Sequence, residues 1–394
     1  MNGRYEELDS LRGLAALSVF LGHIYLIFNS NLYSNLLFEF GPFRFIIAGS
    51  EAVTLFFVLS GFVLAIPFFG NKEIHYGTYI VKRICRIYLP YLIAILIAFT
   101  TRELFYSGEI NRLSNWFNMN WTRTIDINTI LKHMFLIGTF TSNFNNVVWS
   151  LVHEMRISII FPILMFLVVR LNLKKSILLS ITLSILSVIY SIITKANFFG
   201  TELYVSVHYS SIFVFGALLA KYREDLINLF QKISLRIRII ILIIGLTLYL
   251  YAHPSFLINM LINDFNPFYR TVIDTWFTSL GSGILIIIAI ASKRFSLLLR
   301  NKLINFMGKI SYSLYLSHLI VLFSTVHFLY GHAPLWIIIS MVVLITFILS
   351  TILYYIIEKP SIEIGKYLTR SIFTPSKVER STSLHSKNTM DSQI

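Results

Sequence analysis

Two side chains near the start of the chain are spaced as a pair able to hold and process one molecule. Arg12 and His23 stand eleven residues apart in the apolar stretch LDSLRGLAALSVFLGHIY. At about 100° per residue, eleven steps return to within about 20° of a whole number of turns, so a helix puts both on one face, about 16 Å apart along its axis. A guanidinium at the entrance of such a helix and a titratable imidazole deeper in it suit an anionic cofactor that reaches inward. An ionisable group inside a membrane span costs roughly 2.5–3.5 kcal/mol at the helix centre, which makes each one a functional candidate. Arg12 serves equally well as a snorkelling anchor, and His23 as a structural hydrogen-bonding histidine.

Other segments add candidates of the same kind. Ser60 precedes Gly61 in SEAVTLFFVLSGFVL, where a glycine lets a helix or a ligand come close; packing of small residues is the simpler reading of Ser60. Arg83 and Arg86 lie three apart in KRICRIYLP, a basic turn that either clamps phosphates through bidentate bonds or sets topology. In VVWSLVHEMRISIIFP, Trp149 marks an interface and Glu154 lies about a turn and a half deeper, placed to orient or polarise the imidazole of His23. Arg156 is two residues on and does not face Glu154, and His153 points about 100° away. His318, in ISYSLYLSHLIVL, is a second titratable candidate, whereas Glu358-Lys359-Pro360 reads as a helix terminus with a structural role. His327 and His332 lack a third ligand for a metal, and Cys85 lacks a base. No Walker A, HExxH or GxSxG pattern occurs.

The elements that must position these groups follow from composition. The chain has 394 residues, 56% hydrophobic and 13% charged, with mean hydropathy +0.72. Soluble domains carry about 45–50% apolar and about 25% charged residues, so a water-soluble globule and a disordered chain are both excluded. A single cysteine excludes a disulfide framework and a Cys-rich zinc site. The reading is an all-α polytopic membrane protein of about ten transmembrane helices, over 11–28, 47–69, 87–101, 149–169, 176–193, 204–220, 237–251, 272–291, 310–330 and 335–356. The long apolar runs do not alternate with period two, which excludes a β-barrel. The stretch 130–140 is too short to cross and reads as re-entrant or interfacial. No cleavable signal peptide is evident.

Basic residues set the orientation. With both termini cytoplasmic, the inner segments hold 24 of the 33 Lys and Arg and the outer segments 7, the positive-inside pattern. That bias accounts for the +14 charge without nucleic acid, because the cations are dispersed between spans. The one long outer loop, 102–148, carries Trp116, Phe117, Asn118, Trp121, Asn143, Asn145 and Asn146. Such groups suit sugar binding or interfacial anchoring. Residues 1–360 form the membrane domain, and the polar tail 361–394 reads as disordered.

Taken together, these segments resemble the acyltransferase-3 family of integral membrane acyltransferases. The carrying pieces are Arg12 with His23, FFVLSGF at 56–62, the RxxR of Arg83 and Arg86, WSLVHEMRISIIFP at 149–162, ISYSLYLSH at 310–318 and IEKP at 357–360. The resemblance implies movement of an acyl group, usually acetyl, from cytoplasmic acyl-CoA (acetyl-CoA) to a hydroxyl of a surface glycan across the membrane. It implies a multi-pass protein of a bacterial plasma membrane, with membrane lipid, acyl-CoA and a carbohydrate acceptor as partners, and no metal. It maps the catalytic roles onto His23, Glu154 and Arg12, and the donor-binding ones onto Arg12, Arg83, Arg86 and Ser60. His23 would serve as general base or briefly carry the acyl group. Some family members have an acid just before the FF pair, where this chain has Thr54, so either nearby Glu51 substitutes or the acid is dispensable. Aromatic residues that often follow the span-4 Glu are replaced by Ile157 and Ser158. No appended SGNH-type hydrolase domain is expected. The rival class is a secondary transporter or permease, disfavoured by the lack of an inverted repeat. A second rival is a different multispan acyltransferase whose histidine lies in a later span, as His318 does.

Overall fold

The computed structural model describes residues 5–29, 31–70, 74–122, 125–136, 144–196, 200–262 and 266–373. The main helices are α1 (Glu6–Leu26), α2 (Gly49–Phe69), α3 (Tyr76–Phe105), α4 (Ile127–Met134), α5 (Val148–Arg170), α6 (Leu173–Ile193) and α7 (Leu203–Lys221). They continue with α8 (Arg223–Lys232), α9 (Leu235–Leu250), α10 (Ser255–Leu261), α11 (Pro267–Ala291), α12 (Lys293–Leu299), α13 (Lys302–Leu329) and α14 (Leu335–Arg370). Among the described residues there is no strand. Eight helices are long and apolar enough to cross a membrane, and a ninth follows if α9 and α10, bent by 52°, count as one span. The count of about ten also included α1, whose Asp9, Arg12 and His23 lower its hydropathy; it packs lengthwise against two spans, α2 and α13.

Several boundaries differ from the expected ones for one reason. Polar residues continue a helix beyond its apolar run wherever the helix has a protein surface to follow. The short span expected at 87–101 is the outer part of the 30-residue α3, and the last span runs on to give a 36-residue α14. The helical stretch Lys359–Phe373 crosses the boundary placed at residue 360, and 374–394 lie outside the described residues. The stretch 130–140 falls partly on α4, which has eight residues, and partly outside the described residues.

Both long helices widen into a π turn just before a proline. The turns are Ile84–Tyr88, ahead of Pro90, and Tyr354–Glu358, ahead of Pro360. A proline ring clashes with the carbonyl four residues earlier and offers no N–H, and a π turn absorbs both demands without breaking the helix. Such turns often mark functional sites, and these two carry Arg86 and Glu358.

Helices meet through small and polar residues, because apolar side chains gain nothing by leaving lipid. On α6, Ser176, Ser180, Ser184, Ser187 and Ser191 are all buried, while Leu178, Ile185 and Ile192 are exposed. Ser180 donates to the Ser211 carbonyl at 2.6 Å and Ser187 to that of Tyr204 at 2.5 Å, which ties α6 to α7. A close backbone approach joins α1 and α13. A Cβ on Gly13 would fall on the backbone of Met307 and Gly308, so only glycine permits that approach. Ten residues farther along each helix stand His23 and His318, which also touch. The two helices therefore run parallel, in a register fixed by the glycine contact.

Candidate active site

A cavity of about 1770 Å³ opens at the basic end of the bundle. Ligand pockets usually run to about 300–1,000 Å³, so this one has room for a large cofactor. Seven Lys or Arg and five Asp or Glu line it, with Arg12, Arg83 and Arg86 on its membrane-side wall. The mouth is walled by α8, through Arg223 and Asn228, and by the end of α14, through Lys359 and Lys366.

The cations are not equivalent. Arg83 is buried, bonded to the Ser158 hydroxyl at 3.1 and 2.8 Å and paired with Glu154 at 2.8 Å. Ser60 donates to the same Glu154 oxygen at 3.2 Å. Arg83 is therefore already neutralised, and Ser60 belongs to this network as well as to the cavity wall. Among the described residues the one ion pair of Arg12 is with Asp9, at 3.9 Å. Arg86 makes no hydrogen bond or ion pair among the described residues, and its exposed side chain lines the cavity. Arg12 and Arg86 are the guanidiniums left to receive an anion. Glu358, expected to be structural, also lines the cavity; it is buried and accepts from the Ser313 hydroxyl at 2.6 Å.

His23 lies elsewhere, farther along α1. Its Nδ1 is 2.9 Å from Nε2 of His318. His318 Nδ1 is 2.9 Å from the Leu314 carbonyl, which only accepts, so Nδ1 carries the His318 proton. Nε2 of neutral His318 then accepts, and His23 Nδ1–H donates to it. His23 is thereby held as the tautomer with a bare lone pair on Nε2. Trp116 stacks on its ring at 5.3 Å and 17°. Phe20 stands edge-on to His318 at 5.8 Å.

Glu154, expected beside His23, makes its hydrogen bonds elsewhere. Glu154 contacts Arg83 and Ser60, and the group at His23 Nδ1 is His318. A carboxylate beside a lone buried arginine is drawn into that pair, because an unpaired buried charge costs far more than a lost tautomer preference. Arg12 does not contact His23; the ten residues between them keep the cation at the cavity. Glu51, the acid near Thr54, does not line the cavity. It is 2% exposed and held by Arg44 and by His253 at 2.9 Å.

The outer loop carries a group that sequence reading offered only as a sugar or interface residue. Ser114 caps the short helix Asn115–Asn118, and its backbone N–H donates to the Ile27 carbonyl at 2.8 Å. Its hydroxyl donates to the Leu26 carbonyl. These bonds pin the loop to the end of α1 and set Trp116 over His23. Trp121, 0% exposed and at φ +64, is stacked on His327 at 5.7 Å. Arg102 donates to the Trp121 carbonyl at 3.1 and 2.8 Å. Among the described residues no cluster of three or more His, Cys, Asp or Glu is placed to hold a metal.

No curated protein and no solved structure matches the chain. A family model described as an acyltransferase domain matches residues 5–355, nearly the whole chain. With its helical membrane bundle and its buried Arg, His and Glu side chains, this chain belongs to the acyltransferase-3 family.

Proposed function

We propose that the protein transfers an acyl group, acetyl by preference, from acyl-CoA at the basic cytoplasmic end to a carbohydrate hydroxyl at the opposite face. The observation that carries this reading is the chain from the Leu314 carbonyl through His318 to His23, which leaves His23 Nε2 unprotonated. Arg12 and Arg86 would bind the phosphates of the donor, with Arg83 held in reserve by Glu154. The pantetheine arm then lies in the cavity, and its thioester is carried toward His23. His23 Nε2 takes the acceptor hydroxyl proton while that oxygen attacks the thioester carbonyl. The C–S bond breaks, and the proton passes from His23 to the departing thiolate, giving the ester and free CoA thiol. Trp116 and the amide-rich loop around it would meet the acceptor. The bacterial plasma membrane suits both the orientation and the glycan acceptor.

The test uses inverted membrane vesicles from cells expressing the full chain, supplied with radiolabelled acetyl-CoA. Label incorporated in the vesicle lumen and free CoA thiol released in step with it are the expected result. A permease would consume no donor, so absence of thiol release above vesicles lacking the protein rejects the proposal.

A further inference from the structure

Resting on the reading of the cavity as the donor site, we infer that Tyr315, latched to Ser150, is the constriction that selects the acyl group by size. The cavity stops short of the histidines. Its outermost lining residues are Val53 on α2, Ser150 on α5 and Tyr315 on α13, and neither His23 nor His318 lines it. Tyr315 precedes His318 by three residues, a rise of about 4.5 Å, and their rings lie 6.0 Å apart. An acyl group travelling from the cavity to His23 must therefore pass the Tyr315 ring.

That ring is held in place. The Tyr315 hydroxyl is 2.8 Å from the Ser150 hydroxyl and 3.2 Å from the Val147 carbonyl, so its one proton goes to Ser150 while Ser150 donates onward, or to Val147 while Ser150 donates to Tyr315. The Ser150 hydroxyl is 3.1 Å from the same carbonyl, so either arrangement closes a latch of two hydrogen bonds. Phe56 packs edge-on against Tyr315 at 5.6 Å and 85°. Tyr315 and Ser150 are 5% and 6% exposed, so the latch is nearly closed to solvent. It also keeps water from running along the donor path to His23. Breaking two neutral hydrogen bonds lets the ring swing, and these are modest interactions in a polar passage. A two-carbon acyl group clears a swung tyrosine. A longer chain needs the volume that the Tyr315 and Phe56 rings occupy, and close-packed rings do not yield it.

The experiment compares radiolabelled acetyl-CoA, butyryl-CoA and octanoyl-CoA in inverted vesicles carrying the full chain or a variant, at matched protein content. Tyr315→Ala is expected to raise the octanoyl-to-acetyl incorporation ratio by about tenfold or more, since a single methylene in a fitted pocket is worth about 10-fold or more. Tyr315→Phe, which keeps the ring and loses the latch, is expected to keep the wild-type ratio. Should Tyr315→Ala fail to insert, Phe56→Ala opens the same constriction and must raise the ratio. An unchanged ratio in an inserted opening variant overturns the selector. Wild-type vesicles that use none of the three donors overturn instead the donor reading on which it rests.

Discussion

The two ends of α1 solve opposite problems. At the basic end, Arg12 faces a wide cavity with Asp9 only at 3.9 Å, and neighbouring Arg86 has no partner among the described residues. At the other end, His23 is fixed by a ring on its face and a nitrogen at its edge. Binding an anion requires charge that nothing else has spent, so that end stays open and underpaired. The proposed base chemistry requires a neutral imidazole in one tautomer, and that end is packed with Trp116, Phe20 and His318. Tyr315 and Ser150 separate the two.

This contrast is broken most severely by removing the base. His23→Ala is expected to lower donor turnover by about 10²- to 10⁴-fold, with insertion unchanged, measured as CoA thiol release from vesicles of equal protein content. Turnover at the wild-type rate would place the chemistry elsewhere. His318→Ala should show a smaller loss in turnover and little change in donor KM, because it removes only the acceptor for Nδ1–H; an effect confined to KM would deny its orienting role.

The cationic end divides next. Arg86→Ala is expected to raise donor KM about tenfold or more, since a charge-assisted bond is worth about 1.5–3 kcal/mol, while thermal stability in detergent is unchanged. Arg83→Ala is expected to lower stability instead, by about 3–5 kcal/mol at the upper end, because it leaves Glu154 without its buried partner. Equal effects of the two variants on KM and stability would erase the distinction between a free and a spent guanidinium. The smallest effect belongs to the outer roof. Trp116→Leu keeps an apolar cover and loses the stacked ring, so turnover should fall several-fold, with donor KM unmoved and Trp116→Phe restoring most of it. A change in donor KM would mean that Trp116 acts on the cavity.

Much of the molecule was legible in the chain. The apolar runs defined the helical class, and the charge bias defined which end is basic. The polar residues inside those runs drew attention to Arg12, His23, Arg83, Arg86 and Glu154. The serine stripe of α6 is not legible in the chain, because a surface that packs through small polar residues carries no apolar signal. The spans themselves were placed less well at their ends, where α3 and α14 continue through π turns and prolines that ordinarily suggest a stop.

Residue types, their spacing within one helix and the dispersal of charge were settled by the amino-acid sequence alone, since each depends on local geometry and on transfer from water to lipid. Partnership was settled only in three dimensions. Glu154 went to Arg83 rather than His23, Trp116 came from a loop nearly a hundred residues away, and His318 reached His23 across 295 positions. The reason is that a helix can specify which face a side chain occupies but not which helix it meets. That choice was made where Gly13 and Gly308 allowed two backbones to touch.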